Sequence, residues 1–302
     1  VCSSDLLVPV VSAQGRLERF VCSLSDITSL RQAQEAVQER RDEEFRLSAT
    51  IQKNLLHGAI PSVWAGCELA LASEATQVLD GDFRGWLGLD EARGEIFFGD
   101  VMGKGITAAM AGAGIKTAYH RAWNELHLSR PEHLPSLADV ANNMSHRVSP
   151  DLFRLGVFAT LVMLRLDLRA GTCTMVNAGH TPLLHVRAAP LPLESVSSDH
   201  LPLGVLVDEV FQERTVRLAG GDLLAIYSDG LTDAVDAAGN LFGEQPLIDA
   251  LTTGQREGRS PGHIVQAVMD RWHRFRAPGL PADDTSLMVL RLPRDLGPDG
   301  RS

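Results

Sequence analysis

The sequence is poor in cysteine and has no long apolar run. Its four cysteines are scattered along the chain: Cys2, Cys22, Cys67 and Cys173. Thiols without Cys-x-x-Cys spacing are typical of a reducing compartment and argue against a disulfide framework or a zinc site. Uncharged stretches such as 105–115 and 155–164 fall well short of the roughly 18 apolar residues that a membrane-spanning helix needs. We therefore expect a cytoplasmic protein with no membrane segment in this chain.

Positive charge is also scarce. Lys and Arg number 28 against 38 Asp and Glu, which gives a formal net charge of −10 and a pI of about 5.5. Because this field repels phosphate backbones and anionic lipid, nucleic acid is not an expected partner. The composition, 44% hydrophobic and 22% charged, is that of a soluble globular protein. The chain opens on Val1 with no signal-peptide pattern, as expected of a piece of a longer protein.

Two segments precede the main part of the chain. Residues 7–25 hold two β-rich runs around a Gln14-Gly15 turn, which predicts a hairpin. Residues 27–56 are rich in Gln, Glu, Arg and Ala and contain no Gly or Pro, which predicts a helix. Its apolar stripe is interrupted. A parallel coiled coil in a homodimer and a single solvated connector helix both remain open.

After Pro61 the pattern changes to short strands with helices clustered between them. The predicted strands are 67–73, 84–90, 94–100, 157–168, 172–178, 183–187, 210–218, 222–228 and 285–292. The predicted helices are 104–127, 134–148, 244–253 and 260–275. Because many strands are joined by hairpin-length turns, this order favours an α+β fold with antiparallel sheets over alternating βαβ units.

The stretch "IFFGDVMGKGITAAMAG", 96–112, invites interpretation as a phosphate-binding loop. A P-loop requires G-x-x-x-x-G-K-[ST], but the spacing from Gly99 to Gly103 is one residue short, and Gly105 after Lys104 has no hydroxyl for Mg²⁺. ATP binding is therefore disfavoured. What remains is Asp100 at the end of an apolar strand, followed by glycines that allow a tight turn.

Other aspartates also stand at the ends of predicted strands. Asp229-Gly230 follows "LLAIYS", Asp82 precedes one strand, and Asp283 and Asp284 precede another. Taken singly, an Asp-Gly after a strand is most often a plain turn. Several carboxylates brought to one rim would repel one another unless a cation neutralised them, and Mg²⁺ or Mn²⁺ prefers such oxygen ligands.

Residues 52–292 resemble the sporulation and stress-regulator branch of the bacterial metal-dependent type 2C (PPM) serine/threonine phosphatases. The motifs that carry the resemblance occur in order: "IQKNLLHGAIP", "DGDF", "GDVMGKGITAA", "FATLVMLRLD", "NAGHTP", "LPLGV", "YSDGLTDA", "NLFGE" and "DDTSLMVL". Each motif is weak alone, whereas the ordered set is specific. The resemblance implies an αββα sandwich, two antiparallel sheets flanked by helices, with a two-metal centre at one rim.

The resemblance also implies roles for individual residues. Asp82 and Asp100 would contact both metal ions, Mn²⁺ or Mg²⁺, and the Val101 carbonyl would ligate one of them. Asp229 and Asp283 would hold the other ion. Asp284 is expected to support the site, as are the residues that open the helix after Asp100: Gly103, Lys104 and Gly105.

Two positions depart from the family patterns. Gly85 stands where the family often has another Asp, three residues after the "GD" aspartate. Met102 and Gly103 stand where eukaryotic relatives have a His able to act as an acid, so the group that protonates the leaving oxygen is unassigned. His180 of "NAGHTP" is expected to be a hydrogen-bonded structural residue.

The front of the chain resembles the last strands and exit helix of a PAS sensor domain, with "DIT" at the junction. The expected organisation is a PAS-like remnant at 1–28, a helical linker at 29–60, a phosphatase domain at 61–294 and a disordered tail at 295–302. The resemblance implies that the signal from an upstream sensor is transmitted to the phosphatase domain through the linker.

The resemblance implies hydrolysis of phosphoserine or phosphothreonine in a protein substrate, an anti-sigma-factor antagonist of the STAS type in a partner-switching pathway. The alternative is a degenerate phosphatase domain that acts as a sensor-controlled binding module. Three other classes of enzyme fit the sequence less well. A diguanylate cyclase is disfavoured because "DGDF" matches only a fragment of its characteristic turn, and a histidine kinase because the connector has no phosphoacceptor His before His57. A serine hydrolase is disfavoured because G-x-S-x-G is absent from the sequence.

Overall fold

The computed structural model describes residues 6–12, 15–23, 31–32, 34, 56–74, 81–103, 105–188, 193–277 and 283–296. The chain divides into two units, Val1–Ile51 and Gln52–Ser302. Among the described helices, none combines the length and the apolar character that a membrane span requires.

The first unit contains the predicted hairpin. Strands β1 (Leu6–Val11) and β2 (Leu17–Ser23) pair antiparallel. The turn closes through a hydrogen bond from the Ser12 N–H to the Arg16 carbonyl, and Gly15 has a φ of 78° that favours glycine. Of the predicted connector helix, Arg31, Gln32 and Gln34 are helical, and most of its remaining residues lie outside the described part of the chain.

The second unit contains two antiparallel sheets. The six-stranded sheet has the order β10-β9-β12-β13-β4-β3, and the five-stranded sheet has the order β11-β8-β7-β6-β5. The strands are β3 (Val63–Trp64), β4 (Cys67–Glu74), β5 (Phe83–Gly88), β6 (Arg93–Val101), β7 (Ala159–Asp167), β8 (Thr172–Ala178), β9 (Leu183–Val186), β10 (Glu194–Val196), β11 (Arg214–Arg217), β12 (Leu223–Tyr227) and β13 (Thr285–Arg291).

Helices cover the outer face of each sheet. α1 (Ile106–Ser129) and α2 (Leu137–Leu155) pack on the five-stranded sheet, whereas α4 (Gln245–Arg256) and α5 (Pro261–Phe275) cover the six-stranded sheet. The short α3 (Asp229–Thr232) follows β12 directly. The predicted αββα sandwich of the α+β class is therefore confirmed.

Two apolar layers hold the sandwich together. One lies between the sheets and includes Ile96, Phe98 and Met288, and the other lies between the six-stranded sheet and its helices and includes Trp272. Because side chains alternate along a strand, residues 96, 98 and 100 of β6 share the inner face. Asp100 therefore continues the buried apolar row at the rim of the sandwich.

Some predicted element bounds were wrong. The helix predicted at 134–148 runs instead from Leu137 to Leu155 and carries Pro150 in its interior. The strand predicted at 210–218 is confined to Arg214–Arg217. The Asp229-Gly230 pair, which taken singly would most often be a plain turn, opens helix α3. The strands β3 and β10 were not predicted, because two or three residues carry no readable periodicity.

Candidate metal centre

Asp100 is the penultimate residue of β6, and the backbone is tightly packed around it. A Cβ on Gly99 would lie 2.4 Å from the Phe83 ring and 2.5 Å from the Thr160 carbonyl oxygen, so the strand has no room for a side chain there. After Val101 the chain turns, and the Met102 N–H donates to the Phe158 carbonyl at 2.8 Å. This packing fixes the end of β6 and the direction in which the Asp100 carboxylate projects.

Glycines with left-handed backbone conformation connect Asp100 to α1. Gly103 has a φ of 92° and Gly105, the N-cap of α1, has a φ of 81°. A Cβ at either position would meet nothing within 4 Å. Backbone conformation therefore requires these glycines, rather than lack of space. Lys104 lies outside the described residues.

Gly81 brings the segment before β5 against the end of β6. The Val101 N–H donates to the Gly81 carbonyl at 3.3 Å, and the Gly81 N–H donates to Oδ2 of Asp284 at 3.2 Å. A Cβ on Gly81 would lie 2.6 Å from the Val101 carbonyl oxygen and 2.8 Å from Oδ1 of Asp100. Only glycine permits this approach, which places Asp82 beside Asp100 on the inner face of the sheet.

Asp82 is 1% exposed, and its carboxylate reaches the opposite sheet. The Ser286 hydroxyl donates to Oδ2 of Asp82 and also lies 3.0 Å from the Ser73 Oγ. These serines belong to β13 and β4 of the six-stranded sheet. The Asp82 carboxylate is thus held by a residue of the opposite sheet.

The second sheet contributes two further acidic positions, Asp229 and Asp283. Helix α3 packs so closely on the loop before β13 that a Cβ on Gly230 would lie 2.1 Å from the Asp284 carbonyl oxygen. The Ser228 hydroxyl donates to that same carbonyl at 3.1 Å, and the Asp284 N–H donates to Oδ1 of Asp283 at 2.9 Å. These contacts bring the end of β12 and the start of β13 to one place.

The carboxylates are close enough to change one another's pKa. Burial, reinforced by the charges of Asp82, Asp229, Asp283 and Asp284, raises the pKa of Asp100 to about 9. Although the Asp229 side chain is solvent-exposed overall, desolvation followed by the charges of Asp283 and then Asp233 raises its pKa. The rim therefore concentrates negative charge in a partly dry environment, which is costly without a cation.

The donor chemistry of this cluster fits a hard divalent cation. Every candidate donor is an oxygen, from carboxylates or from the Val101 carbonyl, as Mg²⁺ and Mn²⁺ prefer. In the described residues, however, no three His, Cys, Asp or Glu side chains are arranged to hold a metal ion as they stand. Residues 75–80, 104 and 278–282, adjacent in sequence to the cluster, are outside the described part. The ligand assignments therefore stay a prediction.

The surroundings of two further residues, Gly85 and His180, bear on what the sequence led us to expect of them. A Cβ on Gly85 would lie 2.2 Å from Cζ of Phe97, so the aromatic ring fills the space that an Asp would need. His180 is buried, and its Nδ1 lies 2.9 Å from the Thr160 hydroxyl. Burial lowers the pKa of His180 to about 4, which keeps the ring neutral. These contacts agree with a structural role for His180.

Sequence reasoning did not single out Gly81 or the serines that hold the acidic residues. Ser286 and Ser228 are both fully buried. A buried hydroxyl within the apolar run "TSLMVL" is a usable signal, because a polar side chain on an inward strand position needs a partner. Gly81 stands in the "DGDF" motif, but the motif did not indicate its role, since that role depends on Val101, 20 residues further along the chain.

Comparison with known proteins gives the same family. Residues 90–293 match the family described as Stage II sporulation protein E (SpoIIE). The chain is 25% identical over 255 residues to the phosphoserine phosphatase RsbU of Bacillus subtilis, with 84% of this chain and 72% of that protein covered.

Solved structures show the same fold. The SiaA-PP2C domain of Pseudomonas aeruginosa superposes with a TM-score of 0.69 at 17% identity, covering 85% of this chain and 99% of that one. RsbX in complex with magnesium gives a TM-score of 0.54 at 14% identity, covering 75% and 95%. With its ordered motifs, its two-sheet sandwich and its acidic rim, the chain belongs to the SpoIIE family of PP2C-type phosphatases.

Proposed function

We propose that residues 61–294 form a metal-dependent phosphatase that removes phosphate from serine or threonine of a protein. The observation that carries this proposal is the gathering of acidic residues from both sheets around Asp100, whose pKa is raised to about 9 by burial and by four neighbouring carboxylates. Such a cluster is costly as free carboxylates and must be neutralised by protons or by a cation, and a divalent cation neutralises several carboxylates at once.

In this proposal the site binds two ions, Mn²⁺ or Mg²⁺. Asp82 and Asp100 would hold both ions, the Val101 carbonyl would bind one of them, and Asp229 and Asp283 would hold the other. When bound, such ions supply a water of lowered pKa and neutralise phosphoryl oxygens. RsbX, solved in complex with magnesium, has the same fold and supports the choice of cation.

Other residues of the chain hold these ligands in place. The Asp284 carboxylate accepts from the Gly81 N–H at 3.2 Å, and the Ser286 hydroxyl donates to Asp82. Gly103, Lys104 and Gly105 are proposed to support the site as the turn into α1. The exposed side chain of Met102 lies beside this turn, where a phosphorylated substrate would approach.

The proposed substrate is a phosphorylated STAS-type anti-sigma-factor antagonist in a cytoplasmic partner-switching pathway. The similarity to a protein named phosphoserine phosphatase RsbU supports phosphoserine as the group that is hydrolysed. We further propose that residues 1–28 are the end of a PAS-like domain and that residues 29–60 are a helical linker able to pair in a homodimer. The proposed disordered tail, 295–302, falls mostly outside the described residues.

A second candidate is a binding module without catalysis. Two observations favour it: Phe97 fills the position of the additional family aspartate, and the described carboxylates do not form a ready metal site. Retention of Asp82, Asp100, Asp229 and Asp283 argues for the enzyme, because a module that only binds has no need of a charge cluster that opposes its own folding.

Hydrolysis of p-nitrophenyl phosphate by the purified full chain distinguishes the two candidates. We expect turnover with Mn²⁺, none with EDTA, and a loss of at least about 100-fold in Asp100→Asn, because the substitution weakens a contact to both ions. Asp208→Asn is a matched control, since Asp208 lies outside the cluster.

Three outcomes decide the proposal. Activity that survives EDTA would reject the metal mechanism. Activity in Asp100→Asn equal to that of the wild type would remove Asp100 from the site. Inactivity of the wild type towards both the ester and a phosphorylated STAS protein would favour the binding module.

A further inference from the structure

The outer edge of β5 is covered by a short segment of the "IQKNLLHGAIP" motif, to which the resemblance assigned no role. β5 is the last strand of the five-stranded sheet. In the described part of the chain, its side away from β6 is paired by residues His57 and Gly58. His57 forms a parallel bridge with Arg84, and the Gly58 N–H donates to the Arg84 carbonyl at 3.0 Å. The segment therefore acts as a two-residue extension of the sheet.

The His57 side chain makes a second contact to the same edge. Its Nε2 lies 3.2 Å from the main-chain carbonyl oxygen of Asp82. Because a carbonyl oxygen only accepts hydrogen bonds, Nε2 must carry the hydrogen and donate. His57 thus holds the backbone of a proposed metal ligand, without touching its carboxylate in this contact.

Helix α1 fixes the segment from its other side. Leu56 is 1% exposed, and a Cβ on Gly112 of α1 would lie 3.0 Å from its Cδ2. The Lys116 ammonium donates to the Leu56 carbonyl at 3.3 Å. At Gly58 an added Cβ would lie only 3.1 Å from the Gly85 Cα. The segment is therefore wedged between α1 and β5 and cannot shift independently of either.

These contacts determine the orientation of Asp82. Its carbonyl is held by His57, its carboxylate by Ser286, and the preceding Gly81 by Val101 and Asp284. The carbonyl belongs to the peptide plane between Asp82 and Phe83, so a displacement of this backbone would move the Asp82 Cα and the carboxylate that it carries. The hydrogen bond from His57 opposes that displacement.

We propose that His57 is a positioning residue of the metal centre: by donating from Nε2 to the Asp82 carbonyl, it aims the Asp82 carboxylate at the bound ions. This inference rests on the proposed role of Asp82 as a metal ligand. Hydrogen bonds that orient metal ligands typically contribute 10- to 100-fold to metal affinity. Loss of the His57 donor therefore weakens metal binding while the fold is retained.

The test is direct binding of Mn²⁺ to the full chain without substrate, followed through the electron paramagnetic resonance signal of free Mn²⁺. His57→Phe keeps a ring and removes the donor, whereas His57→Gln keeps an N–H donor. We expect the Mn²⁺ dissociation constant to rise about tenfold or more in His57→Phe and to stay within about threefold of wild type in His57→Gln. His133→Gln, at an exposed histidine, is the control.

Thermal unfolding without metal checks each variant for folding. If His57→Phe does not fold, His57→Ala takes its place as the variant without a donor. A third arm places the change in an Asp82→Asn background, where loss of the donor should leave the residual Mn²⁺ affinity unchanged. General destabilisation of the protein would lower Mn²⁺ affinity in either background, so this comparison separates it from a specific effect on Asp82.

Several results would overturn the inference. Wild-type affinity in the folded donor-free variant would reject it, as would equal weakening in His57→Gln, which would assign the effect to ring packing. An undiminished effect in the Asp82→Asn background would show that His57 acts elsewhere. If the wild type itself neither binds Mn²⁺ nor hydrolyses the ester, the proposed function is rejected. The positioning role of His57 is then rejected as well, because it requires a metal site.

Discussion

At the residue scale, Gly85 shows how a departure from the family pattern is built into the packing. A Cβ on Gly85 would lie 2.2 Å from the ring of Phe97, and Phe97 is only 1% exposed. A carboxylate at this position would have to displace a core aromatic side chain. The missing aspartate therefore reflects a filled site, and restoring it by a single substitution would disturb the core before it could supply a ligand.

We predict that Gly85→Ala lowers the free energy of unfolding by about 2 kcal/mol, because overpacking a closed core forces neighbouring side chains to move. Gly114→Ala is the matched control. Gly114 is an interior residue of α1 with nothing within 4 Å of an added Cβ, so alanine there should raise stability by about 0.5–1 kcal/mol. Urea unfolding of both variants measures the two effects, and equal changes would contradict the packing argument.

The sequence offered candidate site residues by their charge, whereas residues whose identity depends on space could not be recognised from it. Asp82, Asp100, Asp229 and Asp283 stand out because a carboxylate beside an apolar strand is costly unless something pairs with it. The need for Gly81 becomes visible only when the Val101 carbonyl lies 2.6 Å from its missing side chain. The amino-acid sequence alone does not reveal how close Gly81 and the Val101 carbonyl lie in the folded protein.

At the element scale, local signals were overridden wherever packing was strong. The pair Ser149-Pro150 reads as a helix end, because proline removes a hydrogen bond inside a helix. α2 nevertheless continues to Leu155, with Leu152 buried and a left-handed Gly156 as its C-cap. Burial of Leu152 and the glycine cap thus offset the local cost of the proline, although Phe153 and Leu155 in the same turn are exposed.

A buried polar contact ties α1 to the sheet that carries Asp100. Glu95 of β6 is 1% exposed, and its carboxylate accepts from the Tyr119 hydroxyl at 2.6 Å and from Nη2 of Arg165 at 2.6 Å. Burial, followed by the charge of Glu95, raises the pKa of Tyr119 well above its usual value, so the phenol remains a donor. Helix α1, which follows the turn after Asp100, is therefore anchored to β6 at Glu95, five residues before Asp100.

We predict that Tyr119→Phe destabilises the protein by about 2 kcal/mol, because it removes a hydrogen bond to a buried carboxylate. Arg121→Ala, which breaks an exposed ion pair with Glu125 on the same helix, should cost at most about 0.5 kcal/mol. Chemical denaturation monitored by circular dichroism compares the two. Tyr119→Phe costing no more than Arg121→Ala would show that the contact does not anchor the helix.

At the scale of the whole molecule, the acidic rim joins the two sheets. Asp100 lies in the five-stranded sheet and Asp82 directly precedes its strand β5, whereas Asp229 and Asp283 stand next to strand ends of the six-stranded sheet. Their mutual repulsion opposes closure of the sandwich at this rim. A cation bound between the sheets would replace that repulsion with attraction to both.

We therefore predict that Mn²⁺ raises the melting temperature of the wild type. Free Mn²⁺ at about 100 times its dissociation constant should add about 2.7 kcal/mol of stability. In Asp100→Asn the metal-dependent increase should be largely lost. The unliganded variant should be at least as stable as the unliganded wild type, because a neutral amide replaces a partly buried carboxyl with a raised pKa. Scanning calorimetry with Mn²⁺ and with EDTA measures both effects, and an unchanged wild-type melting temperature would contradict a metal site at this rim.

The sequence by itself determined the class of the fold and the candidate ligands, because strand periodicity, turn glycines and carboxylates beside apolar strands are local properties of the chain. Only the tertiary structure decided which groups hold those carboxylates. Ser286 meets Asp82 from the opposite sheet, Phe97 fills the space beside Gly85, and His57 reaches the Asp82 backbone from a segment 25 residues earlier. The physical reason is that hydrogen bonds and steric exclusion act over about 3 Å, a range within which distant parts of the chain meet only after the two sheets have packed.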